Sequence, residues 1–139
     1  MASAGASGSR LVLAIEVLRA YRRAKPVLDE DDLPAALAHA RRGADPVVGD
    51  GGLAYQDALR IARAVVRTLD ALPFADRRCL TQSIVLLELL AGRRTHGVLV
   101  IGVRPGDEHE DFGAHSWVEL RGRPLLPTHG DDFVRLVEL

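Results

Sequence analysis

Cys79 is the only cysteine of the 139-residue chain, and it opens an apolar segment, "CLTQSIVLLELLAG", directly after two arginines. At the N-terminus of a helix, unpaired backbone N–H groups and the helix dipole favour negative charge, so that a thiolate is stabilised there. A cysteine that serves only as a small hydrophobic side chain would fit further along, among the leucines. The position therefore indicates a nucleophile, with packing as the alternative.

A cysteine nucleophile needs a base, usually a histidine, and that base needs a group to orient it. Among the five histidines, His115 lies in "GAHSWVEL", an alternating segment in which Trp117 falls on the same strand face and can pack against the imidazole. The alternative for His115 is a half-buried strand histidine with ordinary hydrogen bonds. The other four fit the role of a base less well: His39, predicted to be exposed on a helix, His96, predicted to face solvent, His109 among carboxylates, and His129 in a polar loop.

The elements that must position these residues change in character after Gly92. Helical spacing and capping signals predict helices at residues 10–24 (ended by Pro26), 33–42 (with Asp32 as N-cap and Pro34 in the first turn), 53–71, and Cys79 to Gly92. Apolar or alternating segments predict strands at 96–104 and 114–122, and a short strand or irregular tail at 133–139. N-terminal helices followed by a small antiparallel sheet predict an α+β fold.

Composition narrows the class of protein. Residues 1–9 are mostly alanine, glycine and serine and are predicted to be disordered, with a single domain at 10–139. A net charge of −1 gives no basic field to attract nucleic acid or anionic membrane. The lone cysteine excludes an internal disulfide and a multi-cysteine metal site, and no cofactor is predicted. Without a signal peptide or a run of about 18 apolar residues, a cytoplasmic protein is expected.

Two apolar stripes are predicted to belong to the core rather than to bind a partner. The first is Leu11, Ile15 and Leu18, and the second is Leu59, Val66 and Leu69. The alternative is that one of them is exposed as a docking face, because exposed apolar patches mark interaction sites.

The order of a cysteine that opens a helix, a buried strand and a strand bearing "AHSWVE" resembles the papain-like core of the transglutaminase-like superfamily. Within it, "RRCLTQSIVLLELLAGRRTHGVLVIGVR" and "FGAHSWVELRGRPL" look most like the leader peptidases of lasso-peptide biosynthesis. The resemblance covers residues 10–139, and its specific part lies at residues 77–125.

This resemblance implies a cysteine peptidase that removes the leader from a ribosomally made precursor, so that a separate macrolactam synthetase can use the freed amine. Some relatives carry a small leader-recognition domain, for which this chain has no room. The resemblance therefore implies the stand-alone peptidase of a split system, with a leader-recognition protein as partner. Cys79 is then the nucleophile, and His115 is the base and later the acid.

The family's third catalytic residue is an aspartate on the next strand, where this sequence has Pro127. The nearest carboxylates beyond it are Asp131 and Asp132, and we favour Asp132 because it abuts Phe133, which should anchor the segment to the core. Glu119 is closer in sequence, but four residues along a strand span about 13 Å, too far to hold the histidine. The alternatives to an aspartate are a backbone carbonyl, such as that of the proline, and a water molecule.

Two other functions stay open at this point. One is a non-catalytic module that binds a leader peptide in a papain-like shell, which the proline at position 127 favours. The other is a different acyl transfer on the same cysteine–histidine pair, in which an amine rather than water resolves the thioester.

Overall fold

The chain forms an α+β fold in which helices precede an antiparallel sheet, as the sequence predicts. A computed structural model describes residues 2–42, 52–73, 79–104, 113–127 and 134–139. The helices in these ranges are α1 (Ala2–Asp29), α2 (Leu33–Ala40), α3 (Tyr55–Ala71) and α4 (Cys79–Ala91). The strands are β1 (Val98–Arg104), β2 (Gly113–Leu120), β3 (Arg123–Pro124) and β4 (Val134–Glu138), and they form one sheet in the order β3-β2-β1-β4.

The centre of the fold is occupied by α4, which contacts the other three helices as well as β1 and β2. A helix that is apolar on nearly all sides is stable only when it is surrounded in this way. Because α4 is held from every side, core packing fixes where its first residue lies relative to β2. The side chains that it buries completely or almost completely include Ile84, Val85, Leu86, Leu87, Leu89 and Leu90.

A tight turn after β2 brings the following segment back alongside that strand. Arg121 and Gly122 both have positive φ angles, 50° and 80°, which glycine adopts without strain. Beyond the turn, the backbone N–H of Leu125 donates to the carbonyl of Val118 at 2.8 Å. Residues 125–127 therefore run back along β2 from Val118 towards His115.

The predicted boundaries of α2, α3 and α4 lie within two residues of those observed. Asp32 caps α2, because its side chain accepts a hydrogen bond from the backbone N–H of Ala35 at 3.1 Å, and Pro34 lies in the first turn. These boundaries follow from local signals that do not depend on the rest of the fold.

The first helix is longer at both ends than the sequence predicts. It begins at Ala2, in the segment for which composition predicts disorder, and it continues through Pro26 to Asp29. Alanine is the strongest helix former, and extending a helix costs far less than starting one. Beyond the proline, Leu28 is 5% exposed and packs in the core, which offsets the backbone hydrogen bond that proline cannot donate. Neither α1 nor any other helix in the described ranges is long and apolar enough to cross a membrane.

The predicted core stripe on α1 is wrong for two of its three members. Leu11 is 65% exposed and Ile15 is 39% exposed, whereas Leu18 is half-buried. Continued by one turn, this stripe reaches the charged Arg22, so it is short. The competing stripe continues to the last turn of the helix, and it forms the buried face: Leu13, Val17, Ala20, Tyr21, Ala24 and Leu28.

Gly97 lies just before β1, where β1, β2 and α4 come close together. A Cβ atom there would lie 2.9 Å from Val118 Cγ1, 3.0 Å from Leu90 Cδ1 and 3.1 Å from Leu87 Cδ2. We therefore expect Gly97→Ala to lower the free energy of unfolding by about 1–3 kcal/mol, because three packed side chains must shift at once. Urea denaturation measures this loss. Gly92→Ala is the matched control, since its Cβ would meet nothing closer than 3.6 Å, and equal losses in both variants would contradict the prediction.

Candidate active site

Cys79 is the first residue of α4, as predicted, and its side chain is half-buried. The hydroxyl of Ser83, one turn later, donates to the carbonyl oxygen of Cys79 at 2.8 Å and so holds the first turn. The sulfur itself accepts a hydrogen bond from the backbone N–H of Ser116, with a distance of 3.4 Å between nitrogen and Sγ. This contact places the thiol against β2, at the residue that follows His115.

The imidazole of His115 is oriented by a backbone carbonyl. Its Nε2 atom lies 2.9 Å from the carbonyl oxygen of Pro127. Because a carbonyl oxygen only accepts hydrogen bonds, Nε2 carries the proton, and Nδ1 is the basic nitrogen of the neutral ring. The Pro127 carbonyl therefore selects the tautomer that a thiol needs in a neighbouring base.

Trp117 packs against the same imidazole, as the alternation of β2 predicts. The two ring centroids are 5.7 Å apart and the ring planes are inclined by 29°, and the indole is almost fully buried. A flat, buried indole limits the rotation of the imidazole. The contacts of His115 thus include a stacked ring and a hydrogen bond to the Pro127 carbonyl.

Ser116 is a residue of the site that the sequence analysis did not single out. Its backbone N–H is the donor to the sulfur of Cys79, and a donor at that point stabilises negative charge on the sulfur. Its hydroxyl oxygen is buried and has no hydrogen-bond partner within the described ranges. The only available signal was its place directly after the candidate base, because a backbone donor has no side-chain signature.

The structure describes some of the candidates for the third catalytic residue and not others. Asp131 and Asp132 lie outside the described residues, whereas the Pro127 carbonyl, one of the alternatives, is observed on His115. Glu119 is engaged elsewhere: it accepts from the indole N–H of Trp117 at 2.9 Å and from the guanidinium of an arginine on β4 at 2.7 Å, Arg135. Hydrogen bonds to Glu119, and then to Glu138, raise the pKa of that arginine above its ordinary value.

Of the other histidines, the two that the structure describes, His39 and His96, take no part in this arrangement. The sequence predicts that His39 is exposed, and this prediction is wrong. Only 12% of its side chain is accessible, and its Nε2 lies 3.2 Å from a carboxylate oxygen of Glu88. That partner is 49 residues away in sequence, so no local pattern could indicate it. His96 is exposed, whereas His109 and His129 lie outside the described residues.

A groove of about 440 Å³ adjoins the candidate site. We call it the α3 groove, because it lies between one face of α3 and residues 124–127, and Pro127 forms part of its lining. A second cavity, of about 570 Å³, lies on another part of the surface, between α1, the end of α2 and the end of α4.

The candidate site thus consists of a cysteine at the start of a central helix, against a strand that bears a histidine. Comparison with protein families leads to a specific superfamily: the sequence model of the transglutaminase-like superfamily matches residues 11–138. The chain therefore belongs to this superfamily, whose domain is compatible with a cysteine peptidase or an acyltransferase. Comparisons with curated proteins and with solved structures gave no significant match.

Proposed function

We propose that this chain is a cysteine peptidase that removes the leader peptide from a ribosomally synthesised lasso-peptide precursor. The superfamily supports thiol-dependent acyl chemistry, and the resemblance of "IGVR" and "AHSWVEL" to the lasso-peptide leader peptidases supports the substrate. The observation that carries the proposal is the contact of Cys79 Sγ with the backbone N–H that follows His115, whose own Nε2 is held by the Pro127 carbonyl.

In the proposed reaction, His115 takes the proton of the Cys79 thiol, and the sulfur attacks the carbonyl carbon of the last leader residue. The backbone N–H of Cys79, at the helix start, is the candidate donor to the resulting oxyanion. As the C–N bond breaks, the imidazolium gives its proton to the departing amine, which is the new N-terminus of the core peptide. Water then attacks the thioester with His115 as its base, which releases the leader with a free carboxyl group and restores the thiol.

We further propose that the enzyme works with a cysteine–histidine dyad, because the Pro127 carbonyl, 2.9 Å from Nε2, already accepts the one proton that this nitrogen carries. Accordingly, Asp131→Asn and Asp132→Asn should each leave the rate of leader removal within about threefold of wild type, whereas losing a carboxylate that orients a catalytic histidine can cost about 10⁴-fold. Initial rates on the precursor, measured by mass spectrometry, provide the comparison. A large loss in one variant alone would identify that aspartate as the third member and would contradict the dyad.

The experiment that tests the function combines this protein with the precursor peptide, with and without the separate leader-recognition protein. The sequence has few aromatic or polar side chains around Cys79 that could select one peptide at the scissile bond, so that a partner is needed to raise the effective concentration of the leader. We expect it to stimulate cleavage by about 100-fold or more. In H₂¹⁸O the released leader should gain one ¹⁸O atom if water resolves the thioester.

A precursor whose leader is scrambled upstream of the cut serves as the control, since it keeps the scissile bond but loses the partner. Equal rates with and without the partner would argue for a self-sufficient peptidase. A leader joined to an amine would indicate an acyltransferase, and binding without turnover would indicate a non-catalytic module.

In this proposal the macrolactam synthetase acts after the peptidase, because its substrate is the amine that cleavage exposes.

A further inference from the structure

We propose that the α3 groove binds the substrate residues that precede the scissile bond, and that it selects an apolar side chain next to a carboxylate. The inference rests on the proposed function and specifies its substrate. The acyl half of a substrate stays attached to the enzyme sulfur until the thioester is hydrolysed, whereas the amine half departs after the first step. Contacts with the acyl half therefore act in both steps, and we assign them to the groove that shares Pro127 with the candidate site.

The groove has an apolar floor that the fold leaves partly uncovered. Leu59 and Val66 lie two turns apart on one face of α3, and both are only half-buried, although the helix between them packs tightly through Ala62. Leu125 and Leu126 form the opposite side. Ligand sites commonly have volumes of about 300–1,000 Å³, and the 440 Å³ of this groove lies within that range.

The charge at the rim of the α3 groove indicates what kind of substrate side chain lies next to the apolar one. Arg63 and Arg67 line the groove, are exposed and stand four residues apart on α3, where like charges repel each other. No carboxylate lines the groove among the described residues. In the second cavity, by contrast, the carboxylates of Glu16 and Glu88 are already paired with arginines. In its described lining, the α3 groove thus lacks the negative charge that a substrate carboxylate would supply.

The groove and the candidate active site share one residue, Pro127. This residue lines the groove, and its carbonyl oxygen holds the imidazole of His115. The wall that contains it is fixed in advance, because the hydroxyl of Tyr55 donates to the carbonyl of Pro124 at 2.5 Å and the guanidinium of Arg123 stacks on the ring of Tyr55, 3.9 Å from its centroid. A groove built beforehand costs little entropy to occupy.

Two active-site-directed reagents test the inference without requiring turnover: acetyl-Glu-Leu-Gly chloromethyl ketone and acetyl-Lys-Leu-Gly chloromethyl ketone. In each, the thiolate displaces chloride and forms a C–S bond, so that intact-protein mass spectrometry gives the rate of alkylation. Each alkylation rate is divided by the rate of the same protein with iodoacetamide, which corrects for differences in thiol reactivity between wild type and variants. We expect wild type to react about tenfold faster with the acidic reagent, since two surface ion pairs are gained.

The double variant Arg63→Glu/Arg67→Glu should prefer the basic reagent, whereas Arg60→Glu, on the same helix but outside the groove, should behave like wild type. Equal rates with the two reagents in wild type, or a preference that the double variant retains, would overturn the inference. If iodoacetamide still labels Cys79 when one of these results is obtained, the groove proposal is wrong and the assignment of the nucleophile stands. Failure of iodoacetamide itself to label Cys79 would overturn both the groove and the proposed function.

Discussion

Replacing Cys79 with alanine is expected to abolish leader removal, lowering the rate at least about 10⁴-fold, because no other thiol can form the acyl intermediate. The fold should survive. The side chain is half-buried at the start of α4, and its sulfur accepts a hydrogen bond from the backbone N–H of Ser116. The substitution should therefore lower the free energy of unfolding by only about 1 kcal/mol. Timed mass spectrometry of the precursor in the presence of the partner measures the rate.

Two measurements make this result specific. Thermal unfolding and co-purification with the partner and leader should be close to wild type, which shows that the chemistry and not the structure was lost. Cys79→Ser keeps an oxygen nucleophile of far lower acidity and should show at most a trace of activity. Cleavage by Cys79→Ala at a rate near that of wild type would mean that the nucleophile lies elsewhere.

The second large effect is expected for His115→Ala, which removes the only base that the described site offers. The rate of leader removal should fall about 10³-fold, within the range that general acid–base catalysis supplies. Added imidazole should restore part of the activity, because the side chain leaves a space between Trp117 and the Pro127 carbonyl. A merely structural role for the histidine would give no such rescue.

The matched control for this variant is His96→Ala. His96 is exposed at the start of the sheet region and makes no contact with the candidate site in the described ranges, so its loss should leave the rate unchanged. Activity retained in His115→Ala, or lost to the same degree in His96→Ala, would refute the assignment of the base.

The start of α4 and the histidine strand could be predicted because their signals are local. The cap of α2 depends on Asp32 and the N–H three residues later, and the common face of His115 and Trp117 follows from the two-residue period of a strand. The fold class followed from the single change of periodicity after Gly92.

The remaining features depend on pairs of residues that are distant in sequence or on the backbone alone. Two stripes on α1 had nearly the same spacing, and only the packing of α3 and α4 decided which one is buried. His39 is paired with Glu88 across 49 positions. The acceptor on His115 is a carbonyl group, which every residue carries, so that position 127 was considered through the family resemblance, and the amino-acid type there favoured no acceptor.

The stacking of Trp117 on His115 also allows the site to be followed by tryptophan fluorescence. The chain has a single tryptophan, so that all indole emission comes from a ring that touches the candidate base. A protonated imidazole quenches a neighbouring indole, whereas the neutral ring does so far less. The emission of the unlabelled protein thus becomes an optical record of proton transfer at His115 and of any ligand that displaces the imidazole from the indole.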